Sequence, residues 1–164
     1  MSALQDSPRI SPFLWFDSNA EEAVDFYLTV FKNSRKLSEF RNPDDNPAGA
    51  KGKVITVSFE LDGQKFTALN GGPHFKFTEA VSFMVRCEGQ AEVDYYWSKL
   101  TADGGSESQC GWLKDKFGVS WQVVPEALPS LIGSEDPARA KRATEAMLKM
   151  GKLDIAALEA AAAG

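Results

Sequence analysis

Residues 10–31 read ISPFLWFDSNAEEAVDFYLTVF, and the fold is decided by whether this stretch is met again. Its first part, residues 10–16, is an apolar, aromatic run of strand length. A polar step follows. Ser18 with Glu21, or Asn19 with Glu22, has the spacing of a capping box, in which two side chains satisfy free backbone N–H groups at a helix start. Ala23, Phe26, Tyr27, Val30 and Phe31 then recur at helical intervals and make one apolar stripe. The order is strand, then amphipathic helix.

Further along, residues 80–102 read AVSFMVRCEGQAEVDYYWSKLTA and give the same order. Residues 80–87 predict a strand. Residues 90–102 predict a helix with Val93, Tyr96, Trp97 and Leu100 on one face. It stops at Asp103-Gly104-Gly105, where glycine can take the left-handed C-terminal conformation. Each helix is followed by three strand-like runs. In the first half these are 37–41, 53–61 (KVITVSFEL) and 65–70 (KFTALN); the last two join across Asp62-Gly63, a dipeptide suited to a tight hairpin. The Pro-, Gly- and Asp-rich segment 42–52 reads as a loop. In the second half the runs are 107–110, 112–114 and 119–124, with Lys114-Asp115-Lys116-Phe117-Gly118 as a hairpin turn. A duplicated α+β architecture follows. The expected organisation is an N-terminal tail over 1–9, a first module over 10–72, a second over 73–127 and a helical extension over 128–164. Within the extension, 128–133 reads as a connector. Asp136-Pro137 reads as N-cap and first helical residue of a helix to about 150. Asp154 caps a last helix, 155–163, anchored by Ile155 and Leu158.

Composition narrows the function classes. The chain has 164 residues, 43% of them hydrophobic and 25% charged, an ordinary globular balance for one domain or two small halves. A net charge of −5 gives no electrostatic support to a nucleic-acid partner. No apolar run reaches the roughly 18 residues of a membrane span, and MSALQDSPRISPF lacks the pattern of a signal peptide. Cys87 and Cys110 are too few for a disulfide framework, and a cytoplasmic location is the default expectation.

The chemistry-bearing residues are sparse. His74 is the single histidine, and a His-carboxylate metal site needs three or four converging ligands. Cys110 would need a base or cation to act as a nucleophile. Lys114 is four residues on and shares its face if both lie on one strand; the alternative is a small half-buried cysteine. Gly71-Gly72 and Gly104-Gly105 do not lie between a strand and a helix, where a nucleotide-binding turn would be. Strand alternation places Ser82, Met84 and Arg86 on one face of their strand and Ser120, Gln122 and Val124 on one face of theirs. Val81, Phe83 and Val85, with Val119, Trp121 and Val123, form the opposite faces, under the helices. The first set either lines a small-molecule pocket or faces water.

The runs FLWFDSNAEEAVDFY, SFELDGQKFTALNGGPHFKF, DGGSESQCGWLKDKFGVSWQVVP and AMLKMGKLDIAAL resemble the PhnB-like family of the glyoxalase/bleomycin-resistance/dioxygenase (vicinal oxygen chelate) superfamily. The resemblance spans about residues 10–160. It implies two paired βαβββ modules with curved sheets that form a cup, and commonly a homodimer. The superfamily's metal enzymes place His, Glu or Gln ligands on the first and last strand of each module. Carried over by position, those sites fall near Pro12, Ala68 (with Asn70 two residues along), Ala80 and Gln122. Only Gln122 keeps a possible ligand, and one amide oxygen does not hold a divalent ion. The family is often described as 3-demethylubiquinone-9 3-methyltransferase, yet no S-adenosylmethionine site is recognisable. The expectation is a cup without metal or cofactor that binds a small organic molecule through Asn70, Ser82, Arg86, Trp112 and Gln122. The alternative is an enzyme, either such a methyltransferase or a metal-dependent lyase or dioxygenase.

Overall fold

A computed structural model describes residues 8–164, so most of the tail expected over 1–9 lies outside the described residues. The chain divides after Lys76 into two units. The first contains β1 (Phe13–Phe16), α1 (Ala20–Val30), β2 (Ser34–Arg41), β3 (Val54–Leu61) and β4 (Gln64–Asn70). Its sheet has the order β1-β4-β3-β2, with β1 parallel to β4 and the remaining pairs antiparallel. The second repeats this with β5 (Ser82–Cys87), α2 (Gln90–Thr101), β6 (Ser106–Glu107), β7 (Trp112–Lys114) and β8 (Ser120–Pro125), in the order β5-β8-β7-β6. Two βαβββ modules are therefore present.

In the first module the helix stripe meets the sheet. Ala23, Val24, Tyr27 and Val30 are buried over Leu14, Phe16, Val57, Phe59, Phe66 and Ala68. Tyr27 stacks on Phe59 and Phe59 on Phe66, with ring centroids 6.3 and 5.3 Å apart. Asp62 and Gly63 both take positive φ, 47° and 83°, as the tight hairpin requires. β2 is longer than the run 37–41. Its side chains face no core: all eight positions are exposed or half-buried, so no apolar alternation marked it. This edge strand is lined with ion pairs, Arg35–Glu60, Lys36–Glu39 and Arg41–Glu39.

Neither expected capping box caps α1. Asn19 occupies the N-cap position but makes no side-chain cap bond. Asn70 does the work from β4. Its Oδ1 accepts from the Ala20 N–H at 2.9 Å, and its Nδ2 donates to Glu21 Oε2 at 2.6 Å and to the Val54 carbonyl at 3.1 Å. The register explains the substitution: β4 runs parallel to β1 with Asn70 opposite Phe16, so β4 ends where the helix begins. The next residue, Gly71, must lack a side chain. A Cβ there would sit 2.3 Å from the Trp15 indole, whose Nε1 donates to the Gly72 carbonyl at 2.9 Å.

In the second module α2 buries Val93, Trp97 and Leu100 against Val85, Leu113, Trp121 and Val123. Three sequence expectations change. The run 107–110 does not form a strand along its length: β6 covers Ser106–Glu107 and the chain then turns through Cys110. Val81 precedes β5 and is 68% exposed, so it is not part of the apolar face under the helix. The helix stop uses Asp103 at φ 56° ahead of Gly104 at φ 117°, within a short 3₁₀ turn. The C-terminal extension belongs to this unit. Residues expected as a connector form α3 (Leu128–Ile132), because Leu128 and Leu131 have a core to enter. α4 (Pro137–Met147) and α5 (Ile155–Ala163) start as expected. Asp136 accepts from Ala138 N–H and Asp154 from Ala157 N–H, each at 2.9 Å. Leu128, Leu131, Ala143, Leu153, Leu158 and Ala162 make the core of the extension, and Val124 of β8 packs on it.

Replacing Asn70 by Ala should cost about 2–3 kcal/mol, because it strands a buried helix N–H and a buried strand carbonyl. Urea unfolding checks this, with the exposed Gln64→Ala as a control expected to change little.

Candidate functional site

The hairpin that ends the second module is built on one buried carboxylate. Asp115 is 3% exposed. Its Oδ1 accepts from the backbone N–H of Phe117 and Val119 at 2.9 and 3.0 Å, and its Oδ2 from the Trp121 indole at 2.9 Å. Gly118 closes the turn with φ 87°. Those bonds fix the register between β7 and β8, which pairs Trp112 with Gln122 and Lys114 with Ser120.

Cross-strand partners share a face, so the pairing arranges the side of the sheet opposite α2 in rows. One row runs Ser82, Ser120, Lys114, Ser106; the next runs Met84, Gln122, Trp112. Gln122 Nε2 donates to Ser82 Oγ at 2.9 Å, joining the rows. Along one flank lies a cavity of about 250 Å³ lined by Glu79, Ser106, Glu107, Ser108, Trp112, Leu113, Lys114 and Ser120. Glu79 forms an ion pair with Lys114, and this hydrogen bond holds the Glu79 carboxyl below the usual carboxylate range. Glu107, also on the lining, accepts from the Trp97 indole at 2.7 Å.

The structure thus brings Ser82, Trp112 and Gln122 together. Arg86 sits further along β5, opposite Val124, exposed and paired with Glu126. Asn70 lies in the first unit, and both ends of its amide are engaged on α1 and β3. The cavity also takes in Glu79 and Ser106, which no sequence pattern marks, and Lys114, which the sequence raises only beside Cys110. The cross-strand register would have grouped Lys114 with Ser120; parity along single strands does not supply it.

The remaining candidates resolve simply. Cys110 lies in the turn between β6 and β7 with φ 58°, so it is not on a strand with Lys114 and the shared-face premise fails. Cys87 is fully buried, and burial, assisted by the Glu92 carboxylate, pushes its thiol up to about 12. His74 is exposed. Among the described residues no three His, Cys, Asp or Glu side chains gather as a metal site. The position carried over to Ala68 falls on the helix-facing side, where that residue is fully buried. Its neighbours Thr67 and Leu69 pair with Phe13 and Trp15. This donor set does not fit a divalent ion.

A family described as 3-demethylubiquinone-9 3-methyltransferase matches residues 8–124. The helices from Leu128 onward lie outside that match. Among solved structures, a PhnB protein from Bacillus cereus bearing the same methyltransferase description is 37% identical, with a TM-score of 0.64, covering 72% of this chain and 99% of its own. Protein PA1353 from Pseudomonas aeruginosa is 21% identical at a TM-score of 0.60, covering 73% and 98%. The fosfomycin resistance protein FosX from Listeria monocytogenes, solved with Mn(II) and sulfate, is 14% identical at 0.52, covering 75% and 93%. The last two show a shared fold alone. No curated protein matches the chain.

Asp115→Ala should lower stability by about 3–4 kcal/mol, since three N–H donors lose their acceptor; thermal unfolding reads this, and near-UV circular dichroism should report the loosened Trp121. Cys87 gives a pH signature. Its thiol ionises at about 9 when unexceptional and at about 12 in the fold, so the unfolded chain alone gains charge between them. The thiol's contribution is complete below pH 9 and is lost as pH rises toward 12. Cys87→Ala should flatten the fall of the unfolding free energy across that window.

Proposed function

The chain belongs to the PhnB-like, 3-demethylubiquinone-9 3-methyltransferase family, and from that premise we propose that it binds a small organic molecule on the open face of its second module, without a metal. The observation that carries the reading is the cavity of about 250 Å³ beside Trp112, Lys114 and Ser120, with the Gln122–Ser82 pair next to it. A few placed polar groups around an aromatic wall are the usual makeup of a small-molecule site. Gln122 contributes an amide that can hydrogen-bond a ligand and Trp112 a flat apolar surface, while Arg86, further along β5 and paired with Glu126, lies outside the cavity's lining.

Metal-dependent lyase or oxygenase chemistry lacks support in the donor set described above. Methyl transfer has the family description behind it. The two strand-to-helix turns, Asp17-Ser18-Asn19 and Glu88-Gly89, do not form the glycine-rich cradle of the usual nucleotide-type cofactor site. The family fold also supports assembly as a homodimer. The free cysteines support a cytoplasmic setting, and no helix among the described residues is long and apolar enough to cross a membrane.

Native mass spectrometry of freshly purified protein should show a dimer that retains a small molecule and no stoichiometric metal. Gln122→Leu should reduce the retained fraction about tenfold, the loss of one good hydrogen bond, while the fold survives. A stoichiometric transition metal, or micromolar binding of S-adenosylmethionine by calorimetry, would replace this reading with one of the enzymatic ones.

A further inference from the structure

Ser120 carries a contradiction that the fold does not resolve. It is 2% exposed, lines the cavity, and its Oγ has no hydrogen-bond partner among the described residues. A buried hydroxyl left unpaired is costly, and alanine would fill the same volume without that cost. Beside it in the same row stands Lys114, the cavity's ammonium group, and beyond that Ser106. The ammonium is occupied by Glu79, a residue of the turn that precedes β5. That pair is exposed, Glu79 at 62% and Lys114 at 41% by side chain. An ion pair so wetted is weak and easily exchanged.

We infer that the cavity takes a small monocarboxylic acid, and that Glu79 is an internal stand-in for its carboxylate. This deepens, and rests on, the reading of the open face as a small-molecule site. The acid's carboxylate displaces that of Glu79 from the Lys114 ammonium and accepts a hydrogen bond from the Ser120 hydroxyl. Its body lies against Trp112. The exchange swaps one anion for another at Lys114, so it needs no change in the charge of the protein's own groups. Glu79 swings into water, where its turn leaves it room. A cavity of about 250 Å³ is below the roughly 300–1,000 Å³ of drug-sized sites, which limits the guest to a compact acid. The Glu79–Lys114 pair already places a carboxylate on the ammonium, and the Glu79 carboxyl is accordingly held below its ordinary range.

The test uses benzoate as the acid probe and benzamide as its neutral isostere, titrated calorimetrically into the full chain. Benzoate should bind the wild type and benzamide should not. Glu79→Gln should bind benzoate about tenfold more tightly, because the competing anion is gone. Lys114→Met and Ser120→Ala should each weaken it about tenfold. Ser120→Ala should at the same time raise the thermal midpoint by roughly 2–4 °C, a gain that a merely structural serine would not give. Equal binding of benzamide, or no tightening in Glu79→Gln, overturns the acid assignment while leaving a small-molecule site in place. The same holds if neither probe binds wild type or Glu79→Gln but native mass spectrometry finds another guest. If no small molecule is bound in any of these measurements, both the assignment and the broader reading fall.

Discussion

The carboxylate of Asp115 organises the second module of this protein. Buried and bonded to two backbone N–H groups and one indole, it decides where the chain reverses between β7 and β8. A strand that slipped by one residue would turn every side chain to the opposite face. Trp121 would then leave the core, and Ser120 and Gln122 would enter it. By anchoring the turn and the buried tryptophan together, Asp115 ties the placing of the core to the placing of the site.

The first module uses the same economy at a different point. Asn70 reaches from the end of β4 to the start of α1 and replaces the cap that Asn19 does not supply. Gly71 then makes room for Trp15. The Asn-Gly-Gly-Pro segment, one of the strongest marks of family resemblance, is thus explained by backbone accounting and close packing. It need carry no chemistry to be specific. The same lesson applies to the Cys-Gly-Trp run in the second module. Gly111 sits where a Cβ would meet the Val123 carbonyl at 2.8 Å, and Cys110 is placed by its backbone, whose N–H bonds to the Met150 carbonyl at 2.8 Å.

Much of the fold was legible in the sequence because periodicity reports burial. Tyr27, Val93, Trp97 and Trp121 lie where their spacing put them, and the caps Asp136 and Asp154 act as read. What was hidden depends on contacts distant along the chain. The cap from Asn70 is 50 residues from the N–H it satisfies. β2 faces solvent and so shows no alternation. α3 forms only because α4 and α5 provide something to pack on. At the candidate site, strand parity puts Ser82 and Gln122 on one side of the sheet but cannot align β7 with β8, and Glu79 comes from a turn that no pattern marks.

The ion-paired edge of the first sheet has a consequence for handling the protein. β2 ends the sheet and presents an outer row of backbone donors and acceptors, a template on which another chain could add a strand. Its two arginines, lysine and glutamate, held in alternating sign across Lys36, Glu39 and Arg41, favour the solvated edge over a stacked one. That protection is electrostatic and exposed, so it weakens with ionic strength; at about 1 M salt the screening length falls to roughly 3 Å. Concentrated salt would therefore remove a barrier to ribbon-like self-association, whereas dilute buffer would preserve the colloidal separation that the charged edge provides.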